Sequence, residues 1–502
     1  MAYHLGVDTG TSSCKAALID SNGKIAGRSI VEYSLDYSHE GVWIEFDALK
    51  WYSAAVKAIK SCMWESSIKK EEVLSIGLTG QMVSLLGLDK NGDPVRPVIM
   101  WMDKRNIPET EELKAAMGEK ISRITCNPVN QQYTLTKLVW LKKHEPETYA
   151  KINKILLSKD YIRYRLTNEF ATDCNDASST LMHDIRTNTW SKEILGELNI
   201  DPGLLPDIYY STQITGKITK KAAEETGLME GTPVVAGSGD LGAENFAAKA
   251  FNPGDCMMRL GSAAAMTVPV NEPILDPQLK GICSGYYKDG IWLIQGTTQA
   301  FAHVMRWVRD TFASGVYNKP LDNNLYEQLE KEAQDIPVGS TGLIFNPFIN
   351  GAPYWKSHLK GAFIGVSPAH KLGHFIRAAQ EGAACALKDG MDDLEKYANI
   401  SIKECVVTGG GGKSKVWTQM IANLLDKELI VTPAVDACTG AAMMGAIGIG
   451  LNKDALISGL WENYEIERIT PNKDKEDNKK MYGHYTKAHN LLEKFFLDLS
   501  NA

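Results

Sequence analysis

The chain has 502 residues, 44% of them hydrophobic and 23% charged, with a formal net charge of −7. That length allows about two to four domains with ample core, so the fold needs neither disulfides nor a structural metal. The acidic balance argues against a nucleic acid held on a broad basic surface.

The nine cysteines are scattered, odd in number and without a CxxC pair. They read as reduced thiols of a cytoplasmic protein. No basic-then-apolar leader opens the chain. The most apolar stretch, 439–451, is too short to span a bilayer and is rich in Gly and Ala, so it reads as a buried helix.

In chain order, an apolar run at 5–7 is followed by a second run, 15–19, and a third short run from Lys24. The turn residues 8–13 and Ser21-Asn22-Gly23 separate them, which predicts three antiparallel strands. A helix is expected over 46–63, with Trp51 and Val56 among its apolar positions. Residues 75–89 read as strand, glycine-containing turn, strand.

The pattern recurs after a switch near 232–254. Residues 255–270 read as strand, small-residue turn, strand, and 281–298 add two strands around Lys288-Asp289-Gly290. A helical pattern follows over 299–311. Residues 404–433 read as strand, glycine loop, helix, strand. The chain is thus expected to hold two related α/β halves. The charged stretch 472–480 reads as a solvated loop or a helix start.

Asp8 closes an apolar strand in GVDTGTSSCK. A carboxylate there is costly unless it is paired or near a metal. The small residues 9–13 can present successive N–H and hydroxyl groups to a phosphate, and Lys15 can add positive charge. The plain alternative is a turn cap. GSAAA, 261–265, offers a second such turn, and two turns facing across a cleft could hold one polyphosphate. A tight turn chosen for packing is its alternative.

TGGGGKS, 408–414, imitates a P-loop, but Val407 stands where the first glycine is required. It is no dinucleotide fingerprint either, since Ser414 takes the place of the third glycine. A glycine loop still lets a ligand approach the backbone closely. Asp240, a lone acid after the apolar run of VVAGSGD, is a candidate general base, with a helix N-cap as the rival reading.

Residues 80–84 (GQMVS) and 101–105 (WMDKR) together supply a stacking face, donors and acceptors, the mixture a polyol site needs. For WMDKR alone an ordinary polar loop competes. His370 and His374 lack the intervening glutamate of a zinc motif, and GICSG lacks a matching triad order, so both read as structural.

Taken in order, these segments resemble the FGGY carbohydrate kinases. GVDTGTSSCK is similar to the family's first phosphate motif, GQMVS and WMDKR to its sugar segments, and YTLTKLVWL (133–141) to its lysine–tryptophan segment. Residues 158–184 resemble the xylulokinase-like branch. VVAGSGD resembles the segment with the catalytic aspartate. GAPYWKSHLKGAFIGVSPAH (351–370) with RAAQEG (377–382) resembles the second signature, and 408–423 the adenine-side loop.

The resemblance implies two ribonuclease-H/actin-like α/β domains, 1–246 and 247–502, with the active site in the cleft between them. It implies ATP-dependent phosphorylation of a sugar or polyol hydroxyl with Mg²⁺. In that frame Asp240 is the general base. Asp8 is the magnesium-side carboxylate, with Asp240 as the second. Thr11, Ser12, Ser13, Lys15 and Ser262 contact phosphate, and Gly410, Gly411 and Lys415 line the adenine side. Gln81, Met82, Val83, Trp101, Asp103 and Asp240 define the sugar pocket.

Val83 stands where the xylulokinase-like GQMHG pattern has histidine, and Leu241 where the family often has Asn or Gln. Both changes make the pocket more apolar and bear on which hydroxyls it reads. Met82 and Val83 also replace the Arg-Glu pair of the glycerol kinase subgroup, which disfavours glycerol. The expected substrate is a ketopentose, D-xylulose ahead of gluconate and other polyols. A catalytically silent sugar sensor and a non-enzymatic nucleotide-dependent module are the rival classes. The expected partners are the sugar and ATP, with no nucleic acid and no membrane, and a homodimer is left open.

Overall fold

The computed structural model describes residues 2–298, 300–313, 324–351 and 358–500. The expected opening meander is present. Tyr3–Thr9 pairs antiparallel with Ser13–Asp20, and that strand with Ile25–Glu32. On its other side Tyr3–Thr9 runs parallel to Val73–Gly80. Both of these central strands are buried nearly throughout, as parallel strands covered on two faces must be. Pro233–Val235 and Ile214–Lys217 extend the sheet.

A second sheet repeats the path. Cys256–Leu260 pairs antiparallel with Ala264–Val270, which pairs with Trp292–Thr298. Cys256–Leu260 also runs parallel to Glu404–Thr408, followed by Glu428–Val431. Ile282–Gly285 and Glu467–Ile469 form the two edges. In both sheets two successive antiparallel strands lie on one side of the central strand and two parallel strands on the other, the ribonuclease-H/actin-like topology. The two-halves expectation thus holds in register as well as in pattern.

The register makes positions in the two halves equivalent. Asp8 lies opposite Lys15 and beside Thr79; Arg259 lies opposite Ala265 and beside Thr408. Each is the penultimate residue of its sheet's central strand, just before a small-residue turn.

The helix expected over 46–63 runs Ala48–Ser66. It starts later because the Asp47 side chain accepts the Leu49 N–H and caps it. Trp51, Ala55, Ile59 and Cys62 recur at helical spacing and are buried on the first sheet. The 27-residue helix Leu372–Ala398 packs on the second sheet. The charged stretch 472–480 leads into the helix Lys475–Ser500.

The Gly/Ala-rich stretch forms the buried helix Ala437–Gly448. It belongs to the second half in sequence but lies against the first sheet. A Cβ on Gly6 would stand 1.9 Å from the Cys438 carbonyl oxygen, and one on Gly77 1.8 Å from that of Ala441. The helix Asp240–Ala247 runs beside it, with Gly440 against Ala243. One apolar cluster joins these two helices to Val235 of the first sheet and to Met257, Val406 and Ile430 of the second.

The edge strand Ile282–Gly285 is capped by side chains from the first half, so its backbone groups are satisfied without a further strand. Asn127 Nδ2 donates to the Cys283 carbonyl (2.7 Å), and the Cys283 N–H donates back to Asn127 Oδ1 (3.0 Å). Asn175 Nδ2 donates to the Gly285 carbonyl (3.0 Å), and the Gly285 N–H to Ser178 Oγ (2.9 Å). All nine cysteines are free and buried. Among the described residues no helix is long and apolar enough to cross a membrane.

Candidate functional site

Asp8 is buried at the mouth of the first hairpin. Its Oδ2 lies 3.5 Å from Lys15 Nζ, directly across the strand pair, while Oδ1 is buried without a hydrogen-bond partner. The turn closes through its own backbone, the Gly10 N–H donating to the Ser13 carbonyl (3.0 Å), so the turn-cap reading does not hold. Burial pushes Asp8 up to about 6. Lys15 opposes this, and Asp240 and Asp436 add to it.

At the tip of the turn Ser12 is exposed and Thr11 half-buried, while Ser13 is buried. Thr11 Oγ1 accepts the Trp101 indole N–H (3.1 Å), which joins the first turn to the expected sugar segment.

The second half builds its turn alike. The Gly261 N–H donates to the Ala263 carbonyl (3.1 Å) and leaves Ser262 exposed. The Ser262 carbonyl accepts the His303 N–H (3.1 Å), and Arg306 Nη2 reaches Ser262 Oγ at 3.5 Å. Gly409 has φ 88° and lies against the Leu260 carbonyl, where a Cβ would come within 2.7 Å, so glycine is required. Gly410 faces open space. Ser414 caps the helix Lys415–Leu425, its Oγ accepting the Trp417 N–H (3.1 Å). Lys415 is mostly exposed and pairs with Glu467 (3.3 Å).

Asp240 is the first residue of its helix, and Gly239 holds the cap position, so the N-cap reading is displaced by one residue. Its Oδ1 accepts the Leu241 N–H (2.8 Å), and its Oδ2 lies 3.4 Å from Arg259 Nη1. The side chain remains 33% exposed, which leaves room for a proton donor.

The 80–84 segment abuts this helix start. A Cβ on Gly239 would stand 2.6 Å from Met82 Sδ. Gln81 is buried; its N–H donates to the Thr9 carbonyl (2.9 Å), and its Oε1 accepts Ser84 Oγ (3.2 Å). Val83 is held at φ 60°, a conformation rare for a β-branched residue, and its carbonyl accepts Lys137 Nζ (3.2 Å). These contacts tie Trp101 to the first turn, Gln81 to the strand end before it, and Met82 to Gly239, the residue before Asp240.

Asp103 departs from expectation. It is fully buried, and its carboxylate accepts the Ile44 N–H (2.6 Å), the Arg105 N–H and Nε (both 2.9 Å) and Arg105 Nη2 (2.8 Å). Arg105 stacks over Trp43, 4.0 Å from the ring centroid. With its lone pairs committed, Asp103 closes the WMDKR loop and does not face a sugar. Among the other quoted segments, residues 352–357 of the second signature and Gln299 lie outside the described residues. Each of His370 and His374 accepts a backbone N–H through Nδ1, consistent with the structural reading.

Two further residues belong to this site. Glu244 lies one helical turn after Asp240 and accepts Arg259 Nε (2.7 Å). Burial holds Glu244 up at about 7, against the opposing pull of Arg259. The i, i+4 spacing of the two acids is the sequence signal for a shared face; Arg259 is visible only through the strand register.

Behind the site, fully buried Lys159 pairs with Asp160 (2.6 Å), Asp173 (2.9 Å) and Asp176 (3.0 Å). Arg163 joins Asp160 (2.8 Å) and donates to the Ala236 carbonyl, so it holds the strand that leads to Asp240.

The chain matches two domains described as the FGGY family of carbohydrate kinases, N-terminal domain over residues 3–247 and C-terminal domain over 256–449. It is 33% identical to the xylulose kinase of Lactococcus lactis over 478 residues, 94% of this chain and 93% of that one. Its fold matches the ligand-bound xylulose kinase of Lactobacillus acidophilus with a TM-score of 0.90 at 25% identity, covering 99% and 100% of the two chains. The gluconate kinase of the same organism matches with a TM-score of 0.89 at 26% identity, covering 99% of each. The chain belongs to the FGGY family of carbohydrate kinases, on its xylulokinase-like branch.

Proposed function

We propose that this sugar kinase transfers the γ-phosphoryl of ATP to a hydroxyl of a ketopentose, D-xylulose ahead of gluconate and other polyols. The observation that carries the reading is the setting of Asp240. Its carboxylate is partly open and is fixed by the Leu241 N–H and Arg259, and the residue before it, Gly239, lies against Met82 and pairs with Gly80 at the end of the first sheet. In this reading Asp240 accepts the hydroxyl proton as the sugar oxygen attacks phosphorus. The rest of the catalysis is positioning and charge stabilisation.

Thr11, Ser12, Ser13 and Lys15 contact the phosphates from the first half and Ser262 from the second. Gly410, Gly411 and Lys415 line the nucleotide side. Gln81, Met82, Val83 and Trp101 face the sugar. The division at 246/247 then gives each half one phosphate turn. Packing of the two halves around the transfer site keeps water from the phosphoryl group.

The residues present fit a hydrated Mg²⁺. Asp8 has an orphaned buried oxygen, and Asp8, Asp240, Glu244 and Asp436 outnumber Lys15, Arg259 and the Arg28 that pairs with Asp436. Among the described residues no three metal-ligating side chains converge, so Asp8 would hold the ion largely through water. When bound, the ion supplies charge neutralisation to the phosphates.

The substrate follows from a coupled ADP-release assay over pentuloses, aldonates and polyols with and without Mg²⁺. Magnesium-dependent turnover with D-xylulose at the head of the panel is expected. Higher kcat/KM on gluconate would reassign the substrate, and sugar-independent ADP release alone would contradict the reading.

A further inference from the structure

The proposed reaction leaves one cation of the cleft without a task. Arg259 occupies the place in the second sheet that Asp8 occupies in the first, penultimate on the central strand and followed by a small-residue turn. Both side chains lie near Asp240, whose carboxylate is 3.4 Å from Arg259 Nη1 and whose charge acts on Asp8. Asp8 presents a carboxylate there, and Arg259 presents a guanidinium.

The guanidinium is held through two of its three nitrogens. Nε donates to Glu244 Oε2 (2.7 Å) and Nη1 to Asp240 Oδ2 (3.4 Å), while Nη2 is buried with no hydrogen-bond partner. A buried donor without a partner calls for an explanation. Arginine offers five N–H donors in a planar fork, and two of its three nitrogens are engaged here by acids. The third, Nη2, keeps two N–H donors of the kind that meet phosphate oxygens. The same strand runs on directly into Gly261 and Ser262. With Asp8, Asp240 and Glu244 all gathered near this point, an incoming polyphosphate needs a fixed cation.

We propose that Arg259 contacts the terminal phosphate of ATP through its unpartnered Nη2, with Glu244 as the positioning residue that holds it. This deepens the kinase reading and rests on ATP as the phosphoryl donor. The competing role is a purely structural ion pair that ties the second sheet to the helix Asp240–Ala247.

The test is calorimetric titration of the purified full chain with ATP and with ADP in Mg²⁺, for wild type, Arg259→Ala, Arg259→Lys and Glu244→Gln. Thermal unfolding of each variant shows that it is folded. Arg259→Ala is expected to weaken ATP binding at least tenfold and ADP binding less than threefold. Arg259→Lys should fall between, because a lysine keeps the charge and loses the fork. Glu244→Gln should weaken ATP by a smaller factor with ADP unchanged. Equal losses for ATP and ADP, or no loss for either, would overturn the proposal in favour of the structural pair. If Arg259→Ala does not fold, the same ATP-to-ADP comparison is read from Arg259→Lys.

Sugar turnover separates this from the kinase reading. A wild-type chain that turns over no sugar yet shows the ATP-selective loss would remove the substrate assignment and keep Arg259 in place. A chain that turns over sugar while its arginine variants bind both nucleotides like wild type would remove Arg259 alone.

Discussion

Two aspartates near this cleft show how partners decide what a carboxylate does. Asp103 is enclosed by the Ile44 N–H and the Arg105 fork, with no exposed oxygen. Asp240 keeps a third of its side chain open and receives one backbone N–H and one guanidinium. A change at Asp103 is therefore expected to act on stability. Asp103→Asn should lower the midpoint of urea unfolding, at a cost of about 3 kcal/mol for breaking a buried pair, with the sugar KM unchanged. An altered KM at unchanged stability would return Asp103 to the sugar pocket.

Val83 is the other telling residue, since a β-branched side chain at φ 60° is held against its preference and lies beside Met82. Val83→His should shift the ratio of kcat/KM between D-xylulose and gluconate by about tenfold, because a new polar partner discriminates among hydroxyls. A ratio that stays put would take position 83 out of sugar recognition.

Among the elements, the close approach of the helix Ala437–Gly448 to the first sheet and the capped edge of the second carry the joint between the halves. Gly77 admits no side chain, because the Ala441 carbonyl would stand 1.8 Å from its Cβ. Gly77→Ala must push the helix away, and a loss of at least about 2 kcal/mol is expected in urea unfolding. A variant as stable as wild type would show that this contact yields freely.

The edge clamp has its own pH dependence. His183 is buried, with Nδ1 3.1 Å from Ser178 Oγ, the oxygen that also receives the Gly285 N–H. Burial lowers His183 to about 4. The unfolded chain, with an ordinary histidine near 6.5, then binds more protons than the folded one between these values, so stability is lost as pH falls through that window. Thermal unfolding of wild type and His183→Gln from pH 7 to 4 should show a steeper acid loss in wild type. Parallel curves would contradict this.

At the scale of the whole molecule, the two halves were legible in the sequence because the central strands are apolar and each hairpin turn is marked by small residues. The turn around Asp8 and the one around Ser262 could be found separately. What the sequence does not display is the register that makes Asp8 and Arg259 equivalent, since it depends on which strands pair. Nor does it display the reach of Arg259 to Glu244, fifteen residues away in the chain but on a different element. Asp103 looks like a pocket residue in the sequence for a related reason. Its partner Arg105 is close in sequence, but the burial that commits the pair comes from Ile44, Trp43 and the packing around them.

The central claim is that Asp240 takes the proton of the sugar hydroxyl. The measurement that tests it most directly is the steady-state kinetics of Asp240→Asn on the sugar that wild type turns over best. The account predicts a fall in kcat of at least about 10²-fold, the lower end for loss of a general base, with the KM values for sugar and ATP changed by less than about threefold. A variant that keeps near-normal kcat, or one that loses only KM, would contradict it.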